Sequence, residues 1–170
     1  MSDEKLIISF TNPVIQHWDV INDNVMGGLS EGHAQHQAQA LRFYGLISIK
    51  NNGGFSSTYS PLIHLAKHID CVAITIKGDG NNYQLRLRTA VMGQELVYKV
   101  DFLTNVNQIE TYHFQFADFK ASFRGSIIYD APTLKADTVT NVGFMIASKQ
   151  KRMFLISIYQ VEFYSYFTKV

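Results

Sequence analysis

Apolar residues in this chain recur at every second position in short runs, and clusters of glycine, asparagine and aspartate close the runs. This pattern constrains the fold most. A period of two marks a half-buried strand, whereas an amphipathic helix repeats near 3.6. Residues 83–89 are the cleanest case, with Tyr83, Leu85 and Leu87 on one face and Gln84, Arg86 and Arg88 on the other. Residues 96–102 alternate as well, with Leu96, Tyr98, Val100 and Phe102 facing one way. Between them, residues 90–95 contain Gly93 and read as a hairpin connection. Further strands are expected at 41–49, 55–59, 71–77, 109–116, 140–147 and 154–163. One helical turn is expected at 62–68, after Ser60-Pro61, and a second at 117–119. Many short strands at even spacing predict one all-β domain over residues 1–170, a sandwich or jelly roll, with a closed barrel as the alternative.

Composition narrows the function classes. A chain of 170 residues that is 46% hydrophobic is long enough for a real core. Only 17% of residues are charged, so Asn, Gln, Ser and Thr must cover much of the surface, as on the polar faces of β-sheets. The net charge of +1 argues against a nucleic-acid footprint and gives no sign of a polybasic membrane patch. Cys71 is the only cysteine, which rules out an internal disulfide. No apolar run reaches the ~20 residues of a membrane span. The acidic start resembles neither a secretory signal nor a transit peptide, so a cytoplasmic protein is expected.

Residues 18–32, W-D-V-I-N-D-N-V-M-G-G-L-S-E-G, combine an aromatic anchor, an Asn-Asp-Asn turn and a Gly-Gly pair. An ordinary loop does not need so much specified geometry. The chemistry that could hide here is limited. Gly27-Gly28-Leu29-Ser30 lacks the Lys-Ser/Thr of a phosphate loop, and Gly78-Asp79-Gly80 lacks the third glycine of a dinucleotide fingerprint. Cys71 opens a β-branched strand and reads as a core residue. The pairs His33/His36 and His64/His68 have no carboxylate or thiol at ligand spacing, so they read as solvated histidines, and no metal or cofactor is expected. Asp23 and Asp79 suit either a calcium ion or turn capping, and capping is the simpler reading. If the two alternating strands pair, Gln84, Arg86, Arg88, Lys99 and Asp101 share one outward face. Such a face holds a sugar or a protein partner, or is a solvated face with a cross-strand salt bridge.

The motifs resemble the complex I intermediate-associated protein 30 family. The resemblance is carried by residues 18–32, by F-Y-G at 43–45, N-N-G-G-F-S-S at 51–57 and K-G-D-G-N-N-Y at 77–83. F-R-G at 123–125 and V-G-F-M-I-A-S-K-Q at 142–150 extend it. Residues 112–116 and 151–153 depart from the family's pattern. The resemblance implies a galactose-binding-like jelly roll and a bacterial stand-alone member. It also implies a non-catalytic assembly factor whose partners are protein subunits of a respiratory or other multisubunit, membrane-associated complex. A carbohydrate-binding module is the rival reading, and an enzyme using Asp23 and Asp79 a further one. The matching positions are Trp18, Asp23, Gly27, Gly28, Ser30, Gly53, Gly54, Phe55, Ser57, Gly78, Asp79 and Gly80. They are expected to bring three Gly-rich loops together at one end of the sandwich, with Trp18 packed beneath.

Overall fold

The structure, a computed structural model, describes residues 5–10, 17–91 and 93–169. The described chain forms thirteen strands: β1 (Leu6–Ser9), β2 (Asp19–Asn22), β3 (Glu31–Gln37), β4 (Ala40–Ile47), β5 (Phe55–Pro61), β6 (Cys71–Lys77), β7 (Asn82–Val91), β8 (Gln94–Leu103), β9 (Ile109–Gln115), β10 (Lys120–Phe123), β11 (Ser126–Ile127), β12 (Val139–Ala147) and β13 (Arg152–Tyr164). Two antiparallel sheets face each other. One runs β3-β4-β13-β6-β9, with β1 also on β13. The other runs β11-β10-β8-β7-β12-β5-β2. This is the expected jelly-roll sandwich, and the sheets do not close into a barrel.

The period of two decides what lies between the sheets. Tyr83, Leu85 and Leu87 of β7 are buried, as are Val142, Phe144 and Ile146 of β12 and Val72, Ile74 and Ile76 of β6. β13 places Phe154, Ile156 and Ile158 inward, then shifts register between Ile158 and Gln160, so that Val161 and Phe163 are inward too. A bulge of this kind lets one long strand stay in phase with two partners. Outside this core, Cys71, Ala73 and Tyr164 form a small cluster on the far face of β6 and β13. Burial, with Asp70 adding to it, pushes the Cys71 thiol up to about 11, which fits a thiol packed as a small core residue.

Two expectations change. Residues 62–68 form no helix. Leu65 and Ile69 turn inward from an irregular segment whose last turn closes by Ile69 N–H donating to Ala66 O at 3.1 Å. A single turn gains too few hydrogen bonds to form against that packing. The second expected turn is a 3-10 turn at Phe116–Asp118, one residue earlier than expected. The Gln-rich tract at 34–40 is the end of β3, a hairpin turn at Ala38-Gln39 and the start of β4. Both turn residues have positive φ, 53° and 63°, without the Asn-Gly that announces such a turn. β3 is polar because its outer face is exposed, which hides it from a hydrophobic pattern.

Phe144 is fully buried at the centre of the core and meets the Trp18 ring at 6.2 Å. Phe144→Ala is expected to reduce the unfolding free energy by about 3–5 kcal/mol, read from urea denaturation with an unchanged m-value.

Candidate functional site

Asp23 opens a 3-10 turn, Asp23–Met26, which Gly27 closes in the left-handed region at φ 85°. Its side chain is fully buried. Oδ1 accepts from Ser30 N–H at 2.9 Å. Oδ2 accepts from the Ser30 hydroxyl at 2.6 Å, Gly54 N–H at 2.6 Å and Phe55 N–H at 3.2 Å. The Ser30 oxygen in turn accepts from Ser48 N–H at 2.9 Å. Gly28 and Gly53 make room for this carboxylate. A Cβ on Gly28 would lie 2.4 Å from Asp23 Cγ, and one on Gly53 2.6 Å from Oδ2. Burial would raise the Asp23 pKa, but the Ser30 hydroxyl and the backbone N–H groups of Gly54, Ser30 and Phe55 outweigh it and hold the carboxyl below its ordinary value.

A second carboxylate organises the third Gly-rich loop. Asp79 Oδ1 accepts from Asn81 N–H at 3.0 Å. Oδ2 accepts from Asn81 Nδ2 at 2.7 Å, the Tyr83 hydroxyl at 2.9 Å and Leu155 N–H at 2.8 Å. Gly78 packs on Thr104, whose Oγ1 accepts from Gly80 N–H at 3.1 Å. Tyr83 is buried, and burial together with Asp79 pushes its pKa upward, so its proton stays in place. Donors surround both carboxylates, which suits an anion, whereas a calcium ion needs oxygen ligands. The two networks are separate. Between them lie the β12–β13 connection, whose Ser148 N–H donates to Gly54 O at 2.8 Å, and the first residue of β13, Arg152, whose Nη1 donates to Asn81 Oδ1 at 2.7 Å. So two of the three loops share Asp23, while the third builds its own network around Asp79. Trp18 does not sit beneath them. It precedes β2, whose Asp19 pairs with Tyr59, a strand's length from the Phe55 end of β5, and it packs on Phe10 and Phe144. Ser57 holds edge strand β2, its hydroxyl donating to Ile21 O at 2.9 Å.

The sheet face is a built surface. β7 pairs with β8 so that Gln84 lies opposite Asp101 and Arg86 opposite Lys99. Arg86 Nε donates to the Tyr59 hydroxyl at 2.7 Å, and its Nη1 to Gln84 Oε1 at 2.7 Å. Arg88 lies over the Tyr59 ring, its Cζ 3.7 Å from the centroid, and its Nε stands 3.6 Å from Glu95. That distance is ionic but too long for a hydrogen bond, and among the described residues Arg88 Nε is a buried donor with no acceptor. Lys99 and Asp101 approach at 3.9 Å. Sequence reasoning missed Tyr59. Its signal was Gly143, a glycine inside a strand, which marks close approach. A Cβ there would lie 2.2 Å from Tyr59 Cδ1. Also missed was a groove of about 800 Å³ on the outer face of the other sheet, where His33, Gln35, Arg42 and Tyr44 lie beside Met153.

Asp23→Asn tests the first network. An amide nitrogen would face backbone N–H donors, so a loss of about 2–4 kcal/mol is expected at neutral pH. A carboxyl depressed on folding contributes stability that is complete above the unfolded value of about 3.9 and lost as pH falls through the folded value. The wild type should therefore lose more stability than the variant as pH falls from about 5 through the ordinary carboxylate value and below it, measured by urea melts at each pH.

The chain matches the family described as Complex I intermediate-associated protein 30 over residues 8–158. No curated protein matches it. Among solved structures it is similar to the family 11 carbohydrate-binding module of a cellulosomal cellulase of Clostridium thermocellum, with TM-score 0.71, 12% identity, and 97% of this chain and 96% of that chain covered. The same module solved with a beta-1,3-1,4-mixed-linked tetrasaccharide gives TM-score 0.71 and 12% identity over 97% and 98% of the two chains. The adhesin domain of Lys-gingipain from Porphyromonas gingivalis gives TM-score 0.52 and 12% identity over 95% and 98%. At these identities the likeness concerns the fold, whereas the family match spans most of the sequence: the chain belongs to the complex I intermediate-associated protein 30 family.

Proposed function

We propose that this protein is a non-catalytic interaction module that assists assembly of a multisubunit complex, with protein subunits as its partners. The observation that carries the reading is Arg88, held over Tyr59 beside Arg86 with a buried donor that no described group accepts. A desolvated donor left without an acceptor is costly, so native structures rarely keep one without a use. The rest of the Arg88 side chain is a quarter exposed, and a rigid guanidinium fixed in this way is suited to pair with an acidic side chain of a client. Family membership supports the assembly role. Both carboxylates accept hydrogen bonds from the chain's own backbone and side chains, which supports a scaffold role for them.

Carbohydrate binding is the second reading. The fold is shared with carbohydrate-binding modules, and the face holds Gln84, Arg86, Arg88 and Asp101. Against it, the Tyr59 ring that would stack on a sugar is 4% exposed and already covered by Arg88.

Affinity capture of the tagged protein from gently solubilised host extract tests the proposal. Subunits of one membrane or redox complex should be recovered, with at least ~30-fold weaker retention by an Arg88→Gln variant that melts like the wild type. Recovery of no such complex, or recovery that the variant leaves intact, would overturn it. A thermal shift with β-glucan oligosaccharides in place of recovered subunits would move the assignment to the second reading.

A further inference from the structure

Four large aliphatic side chains stand in solvent at one end of the sandwich. Val25, Met26, Leu29 and Ile49 are 72%, 67%, 56% and 48% exposed. They come from two loops, and each lies within three residues of Asp23, Ser30 or Ser48, which one hydrogen-bond network joins. The network fixes the loops from below while their apolar tips face outward. Burying such tips costs little ordering entropy, because the backbone is already held.

Cations reach the same end from distant parts of the chain. Lys50 follows Ile49. Lys149 and Lys151 lie in the β12–β13 connection, which Ser148 ties to Gly54. Residues 23–31, 48–54 and 148–152 carry four Lys or Arg and two acidic residues, the buried Asp23 and Glu31, in a chain with 15 basic and 14 acidic residues. Arg152 is turned to Asn81, which leaves the three lysines as the cations of this end. A near-neutral chain thus concentrates positive charge around its exposed aliphatic tips.

We infer that this loop end docks on an anionic lipid surface, with Val25, Met26, Leu29 and Ile49 entering the headgroup boundary and Lys50, Lys149 and Lys151 meeting lipid phosphates. Aliphatic tips flanked by long cationic side chains match the two layers of such an interface. A protein hot spot is usually built from Trp, Tyr or Arg in a pocket. These tips include no aromatic and project on turns. The surface is distinct from the Arg86/Arg88 face, so the inference stands apart from the assembly reading, and vesicles test it without any client protein.

The test is co-sedimentation of the full chain with vesicles of phosphatidylcholine alone and of phosphatidylcholine with about a third phosphatidylglycerol. Binding to the anionic vesicles only is expected, released by about 0.5 M salt. Val25→Ser/Met26→Ser and Lys50→Gln/Lys149→Gln alter exposed positions and should melt like the wild type. Each should weaken partitioning about tenfold or more. Arg86→Gln should leave it unchanged. No retention on anionic vesicles would overturn the inference, as would retention that both double variants keep. Loss in the lysine variant alone would exclude entry of the apolar tips and so overturn it as stated. Loss of a soluble partner by Val25→Ser/Met26→Ser, with no vesicle binding by the wild type, would assign the surface to a protein and also overturn it.

Discussion

The buried carboxylate of Asp23 is the contact on which one end of this sandwich depends. Taking an ion out of water costs several kcal/mol, and four hydrogen bonds to a charged acceptor, at about 1.5–3 kcal/mol each, offset that cost. The donors come from segments separated by more than twenty residues, so the bonds tie the β2–β3 loop to the start of β5 just beyond the point where the β2–β5 ladder ends. Gly28 and Gly53 are small because the carboxylate occupies the space where their side chains would be. Asp23, Gly28, Ser30, Gly53 and Gly54 are therefore parts of one device, and its product is a pair of loops with fixed backbones.

Asp79 repeats the solution in another connection that crosses between the sheets. It satisfies the Asn81 and Leu155 backbone donors and the Tyr83 hydroxyl, which pins the β6–β7 crossing between sheets to β13. With both carboxylates saturated, the adaptable groups of the molecule lie elsewhere: on the outer sheet face, where Tyr59, Arg86 and Arg88 are layered over Gly143, and at the loop tips. The division is physical. Carboxylates saturated by the chain's own donors, Asp23 buried and Asp79 half-buried, hold the scaffold, and half-buried or exposed cations meet what lies outside it.

Much of the fold was legible because alternation is a direct consequence of strand geometry. Tyr83, Leu85 and Leu87 could face the core only together, and their partners Gln84, Arg86 and Arg88 only away from it. The polar edge strand β3 was not legible, since its exposed face lacks the hydrophobic partners that make a period visible. The expected helical turn at 62–68 failed for the related reason that Leu65 and Ile69 fit helical spacing but are buried by an irregular segment. In the candidate site, the Gly-rich residues announced constrained geometry without naming the group that constrains them. The long-range bonds from Gly54 and Phe55 to Asp23 span 31 and 32 residues, and no local pattern encodes them.

By itself the sequence determined a two-sheet, all-β domain, the inward and outward faces of its best strands, and a set of glycines that could not be ordinary loop residues. These follow from local sterics and a period of two. Only the tertiary structure decided that two Gly-rich loops share one carboxylate while the third has its own, that Tyr59 is the floor under Arg88, and that the connection carrying Lys149 and Lys151 is tied to the loop that carries Ile49 and Lys50. Each of those depends on strand order. Strand order is set by how the inward faces pack across the whole core, and residues far apart in the chain become neighbours only after that packing is complete.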